Sequence, residues 1–184
     1  MTVRVELVRH GRAAAGWDTD PDPELDAVGQ AQAQALAAEL APSDPRPIIT
    51  SPLRRCRETA APLAAAWGLD PVVDDAVAEI PSPLDVPMED RVDWLRAAIA
   101  KHWVDLGPRY TSWRDGVVDR LLALDAPTVV FSHFVAINAV IGAASGDDRV
   151  VIRHLDNCSR TVVDVAAGRL HLVEPGREAD TLIR

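Results

Sequence analysis

Val3, Val5 and Leu7 alternate with polar neighbours near the amino terminus, the two-residue period of a strand over Val3–Val8. Arg4 and Glu6 lie between them, so this stretch reads as a strand and not as a secretory leader. A loop from Gly11 to about Leu25 follows. Asp26 is placed to cap a helix that runs to about Leu40, and Pro42 to Pro47 break it. Ile48-Ile49-Thr50 is a short buried-type strand. The pattern then predicts a second helix capped by Ser51, with Pro52 in its first turn and Gly68 at its end. Val72-Val73 is a further short strand.

Pro81, Pro83 and Pro87 make residues 80–90 an irregular link. Val92, Leu95, Ile99, Trp103 and Leu106 then recur at helical spacing, as do Trp113, Val117, Leu121 and Leu124. Thr128–Ser132 is an apolar strand leading into an apolar helix from about Phe134 to Ala144. Thr161–Val165 and Arg169–Val173 form a hairpin turning at Gly168. Strands alternating with helices predict an α/β fold, a three-layer sandwich with a mainly parallel central sheet and a small helical insertion.

Composition narrows this picture. The 184 residues suffice for a single domain spanning residues 1–184, with a helical lid insertion at about 80–127. No apolar run reaches the roughly 20 residues of a membrane helix, so no membrane association is expected. A formal net charge of −9 argues against nucleic acid, whose phosphate backbone attracts basic surfaces. The two cysteines, Cys56 and Cys158, form no CxxC pair, which points to a reducing cytoplasm.

Candidate chemistry gathers where strands end. The first strand gives Arg9-His10-Gly11, the second Thr50-Ser51-Pro52-Leu53-Arg54-Arg55, and the late apolar strand Ser132-His133. In parallel sheets binding sites lie beyond the carboxyl ends of the strands. If these strands are parallel neighbours, two imidazoles and several guanidiniums meet in one crevice. Like charges repel, and a bound phosphoryl group resolves the conflict, because arginine offers paired donors to its oxygens. Gly11 permits close backbone approach, and the helix expected at Ser51 adds its N-terminal dipole.

Leu7-Val8-Arg9-His10-Gly11 resembles the signature of the histidine phosphatase superfamily, which includes the cofactor-dependent phosphoglycerate mutases. The ordered set extends over nearly the whole chain. Leu25–Ala31 resembles the family's first-helix start, Thr50–Ala60 its second motif, and Val129–His133 the strand carrying its second histidine, while Asn157-Cys158-Ser159 resembles a late family segment. The resemblance implies that His10 attacks phosphorus, that Arg9, Arg55 and His133 hold the phosphoryl oxygens, and that Glu79 donates a proton to the leaving group. No metal or other cofactor is implied. The implied partner is a small phosphorylated substrate or a phosphoprotein. Oligomeric state is not legible.

Three positions depart from the family's pattern. Ile80-Pro81-Ser82-Pro83-Leu84 replaces a Gly- and Trp-containing stretch after Glu79, leaving Asp74, Asp75 and Asp85 as fallback acids. Phe134 stands where relatives often have Gly, and its ring is expected at the substrate pocket with Gly11 and Trp17. The loop after Gly11 lacks the usual Thr and Asn, with Arg12 as a substitute ligand. Arg57 is a second phosphate candidate, whereas Arg54 is expected in surface salt bridges. His102, His154 and His171 read as bystanders, and Trp94, Trp103 and Trp113 as packing residues. Asp18, Asp20 and Asp22 mimic a calcium loop that Pro21 and Pro23 spoil, so they read as an acidic surface loop. The rival functions are a phosphoglycerate mutase-type phosphoryl transfer and a non-catalytic phosphate-binding module.

Overall fold

A computed structural model of the chain describes residues 1–179. In chain order the elements are β1 (Thr2–Arg9), α1 (Ala27–Leu40), β2 (Ile48–Thr50), α2 (Arg54–Trp67), β3 (Val72–Val73), α3 (Arg91–Ile99), α4 (Trp103–Leu106), α5 (Pro108–Leu122), β4 (Thr128–Ser132), α6 (Phe134–Ser145), β5 (Arg160–Ala166) and β6 (Arg169–Glu174). The six strands form one sheet in the order β3-β2-β4-β1-β5-β6. β3, β2, β4 and β1 run parallel, while β5 and β6 run antiparallel to their neighbours. The mainly parallel sheet therefore carries an antiparallel hairpin on one side.

The two-residue period of the strands splits the core in two. Val8, Ile48, Val129 and Phe131 face α1 and α2 and pack on Leu36, Leu40, Leu63 and Trp67. Val5, Leu7, Ile49, Val130 and Val163 face the opposite layer, with Ile137, Ile141, Val117 and Leu121. Each fully buried side chain of this size contributes about 1.5–3 kcal/mol of transfer free energy. α6 is buried around its circumference from Phe134 to Gly142, which explains a sequence that is apolar on every side. Among the described residues, no helix is long and apolar enough to cross a membrane.

Two expected boundaries differ. The second helix starts at Arg54 with Leu53 as its cap, two residues later than the expected Ser51 cap, and the Ser51 N–H instead continues the sheet by donating to Phe131 O at 3.0 Å. The helical run from Val92 to Leu106 is broken at Ala100–His102 into α3 and α4. Trp103 N donates to Asp148 O (2.9 Å) and Val150 N to Lys101 O (3.0 Å), so a tertiary crossing replaces the intrahelical bonds. His102 accordingly caps α4 instead of lying within a helix.

Candidate active site

Parallel pairing brings the carboxyl ends of three strands level. Arg9 of β1 is in register with Ser132 of β4, and Thr50 of β2 with Phe131. His10 N donates to Ser132 O at 3.0 Å, so His10, Ser51 and His133 follow one another across the same edge of the sheet. The two imidazole centroids are 5.3 Å apart, at an interplanar angle of 63°. Arg55, in the first turn of α2, contacts both. Its Nε donates to His10 Nε2 (3.2 Å), and its Nη2 lies 3.3 Å from His133 Nδ1.

This geometry fixes the state of His10. Nδ1 lies 2.7 Å from the Gly11 carbonyl, which only accepts, so Nδ1 carries the proton and Nε2 presents a lone pair. Burial, then Arg55 and Arg9, hold the His10 pKa well below the ordinary imidazole range. His133 is held low by burial first, then by Arg55, His10 and Arg9. Both rings are neutral at physiological pH.

Arg9 leaves β1 on the same edge. Its Nη1 donates to Leu155 O, and the Phe134 ring lies against its guanidinium at 5.1 Å. Arg9 Nε and Arg55 Nη1 are buried and have no hydrogen-bond partner among the described residues. A buried N–H without an acceptor costs about 1–3 kcal/mol. Two such donors beside two neutral imidazoles fit a phosphoryl group, which supplies acceptor oxygens and negative charge together. The chain is acidic overall, yet this pocket is cationic.

Glu79 reaches the same pocket. Its Oε1 accepts from Ile80 N (2.9 Å) and its Oε2 from Val135 N at 3.5 Å, in the first turn of α6. Those bonds and the charges of Arg55 and Arg9 favour the carboxylate, but burial outweighs them and raises the pKa. Of the fallback acids, Asp74 is engaged by Arg120 at 2.6 Å.

The remaining sequence candidates separate clearly. The Gly11 N–H donates to Thr59 Oγ1 at 2.9 Å, and a Cβ at Gly11 would meet the Gly29 carbonyl at 2.7 Å, so the turn admits only glycine. Trp17 is half-buried, its ring 6.2 Å from that of Trp94, which is in turn 5.4 Å from Tyr110. Phe134 is buried and covers Arg9 instead of opening onto solvent. Arg12 is exposed and pairs with Asp26 at 2.6 Å, Arg57 is exposed, and Arg54 binds Glu58 (2.7 Å) and Glu24 at the surface. The N-terminus of α2 is not free for an anion either. Asp22, from the acidic loop, accepts from Arg54 N at 2.6 Å.

Several supporting groups escape sequence reasoning. Asn157 Nδ2 donates to His10 O (3.0 Å), and Arg9 exchanges backbone bonds with Cys158 and Ser159. Cys158 takes a left-handed φ of 51°, a strained conformation for a residue with a side chain, where the loop clamps the end of β1. Ser51, read from the sequence only as a helix cap, has its Oγ 2.7 Å from His133 Nε2. Its place at the end of β2, level with the other strand ends, is the signal that marks it.

The chain matches the model of the Histidine phosphatase superfamily (branch 1) over residues 5–177. It is 44% identical over 85 residues to the PE-PGRS family protein PE_PGRS11 of Mycobacterium tuberculosis, covering 43% of this chain and 15% of that one. It is 35% identical over 116 residues to the Uncharacterized protein Rv0525 of the same organism, covering 61% of this chain and 49% of that one. The chain thus spans less than half the length of these relatives. Among solved structures, the mycobacterial glucosyl-3-phosphoglycerate phosphatase Rv2419c superposes with a TM-score of 0.75 at 21% identity, over 98% of this chain and 100% of that one. The phosphoserine phosphatase of Entamoeba histolytica, in complex with 3-phosphoglyceric acid, superposes with a TM-score of 0.73 at 20% identity, over 97% of this chain and 98% of that one. At these identities the structural likeness establishes the fold.

Proposed function

Matched from residue 5 to residue 177, the chain belongs to the histidine phosphatase superfamily, and from that membership we propose that it is a metal-independent phosphatase working through a phosphohistidine on His10. The single observation that carries this reading is the contact of Arg55 with both His10 and His133, beside buried donors that are unpaired among the described residues.

In the first half-reaction, His10 Nε2 attacks phosphorus in line and the phosphorus–oxygen ester bond breaks. Arg55 moves from the Nε2 lone pair onto the entering phosphoryl oxygens, with Arg9 beside it and His133 at the same pocket wall. Glu79, protonated through its burial, gives its proton to the departing oxygen. In the second, water attacks the phosphohistidine, its proton passes to the Glu79 carboxylate, and inorganic phosphate leaves. His10 Nδ1–H stays on the Gly11 carbonyl throughout and supports the positive charge of the phosphorylated ring. The guanidiniums neutralise the phosphoryl charge, so no metal is called for.

Substrates in this proposal are small phosphomonoesters or a phosphorylated protein side chain. Residues 80–127 form the lid, tied down where Arg109 Nη2 donates to Ser82 O at 3.0 Å and where Trp17 meets Trp94. A cytoplasmic setting is supported by Cys56 and Cys158, both buried free thiols. The test is phosphate release from an aryl phosphate by the wild type and by His10→Ala. Loss of turnover in the variant supports the reading, and equal turnover removes His10 from it. Release of free phosphate separates hydrolysis from a mutase, which returns an isomerised ester.

A further inference from the structure

We propose that Ser51 is a positioning residue that holds His133 as its Nε2–H tautomer, so that Nδ1 stays an acceptor for Arg55. Its catalytic meaning rests on the phosphatase reading, because Arg55 is the group it positions. The first observation is a conflict of donors. Arg55 Nη2 lies 3.3 Å from His133 Nδ1, and a guanidinium has only N–H groups to offer. Nδ1 must therefore be the unprotonated nitrogen of the neutral ring, and the proton sits on Nε2.

The second observation says where that proton goes. Ser51 Oγ is 2.7 Å from Nε2 and is completely buried. The hydroxyl oxygen has two lone pairs. One accepts from Leu53 N at 3.2 Å, and the other accepts from His133 Nε2–H. Cys56 Sγ also lies 3.3 Å from Nε2, but a thiol is the weaker acceptor. A continuous chain results, from the Leu53 amide through Ser51, His133 and Arg55 to the His10 lone pair. Ser51 thereby sets, at one remove from the pocket, which way the key guanidinium is held. Inverting the tautomer would turn an N–H of His133 against an N–H of Arg55 and release the arginine.

The experiment uses the full chain labelled with nitrogen-15 in histidine. Long-range nitrogen–proton correlation spectra report which nitrogen of His133 is protonated, and inorganic phosphate titration reports the pocket's affinity. Wild type should show His133 protonated on Nε2. Ser51→Ala should show a mixed or inverted tautomer and bind phosphate about tenfold more weakly, the scale of one lost buried hydrogen bond. Ser51→Thr, which keeps the hydroxyl, should restore both, and Cys56→Ala should change neither. A wild-type His133 protonated on Nδ1 overturns the proposal, and it does so even if Ser51→Ala fails to fold. So does a folded Ser51→Ala with the wild-type tautomer and phosphate affinity. A protein with the expected tautomers but no turnover would defeat the phosphatase reading and leave this assignment standing.

Discussion

Replacing Glu79 by glutamine tests its proposed role as proton donor separately from the rest of the pocket. Glutamine keeps the length of the side chain and one carbonyl acceptor, enough for the Ile80 N–H at 2.9 Å. Its amide cannot donate a proton to a departing alkoxide. The NH2 group also confronts the Val135 N–H, a weak contact at 3.5 Å, so the structural penalty is about 1 kcal/mol or less. The chemical penalty depends on the leaving group. General acid catalysis is worth about 10²–10⁴ in rate where the leaving oxygen is strongly basic. It is worth little where the leaving group departs as a stable phenolate. The assay compares kcat/KM of wild type and Glu79→Gln for an alkyl phosphate and for a nitrophenyl phosphate. The variant should lose about 10²-fold or more on the first and less than about tenfold on the second. Equal losses on both substrates would show that Glu79 does something other than protonate the leaving oxygen.

The directions of the pKa shifts give the pH profile. His10 is held below its ordinary value of 6.5 and Glu79 above 4.5, and both shifts widen the pH range in which a neutral imidazole faces a protonated carboxyl. In kcat/KM the alkaline limb should belong to Glu79 and vanish in Glu79→Gln, and an unchanged limb would refute the assignment. For stability the sign runs the other way for the histidines. Unfolded imidazoles take up protons near pH 6.5 while His10 and His133 do not, so stability is complete above that pH and falls as the pH drops below it. Urea midpoints at pH 7.5 and 5.5 should differ by about 1–3 kcal/mol of unfolding free energy, and a flat response would contradict the buried neutral pair. Inorganic phosphate at a hundred times its dissociation constant should stabilise the protein by about 2.7 kcal/mol, and calorimetry should show that gain lost in Arg55→Ala. At the β5–β6 turn, exposed Ala167 has φ 51° before Gly168 at φ 70°, a pair of left-handed residues that asparagine tolerates better. Ala167→Asn should raise stability by about 0.5–1 kcal/mol without touching activity, and a lower melting temperature would dispute the turn.

The strand ends were legible because two facts coincide in the residues themselves. Arg9-His10 and Ser132-His133 each follow a short apolar run, and in a parallel sheet such runs finish on one edge. The signature around His10 and Arg55 then pointed to the family, which the match over residues 5–177 shows. What escaped depends on contacts between distant segments. Nothing near Ser51 announces that its N–H would be taken by Phe131, or that Asp22 would arrive to cap Arg54. The break between α3 and α4 is equally non-local, since Asp148 and Val150 supply the competing bonds to the chain at Lys101 and Trp103. Phe134 illustrates the same limit at the site. Its position beside His133 suggests a pocket wall, and only the folded chain shows that the ring lies on the Arg9 guanidinium.

The decisive measurement is chemical capture of the intermediate. Wild-type protein is mixed with an excess of aryl phosphate, quenched in base, digested and sequenced by mass spectrometry. A phosphoryl group on the peptide containing His10, lost on acid treatment and missing from His10→Ala, is the expected result. Turnover of the ester with no such adduct under single-turnover quenching, or with the group on any other residue, would contradict covalent catalysis at His10.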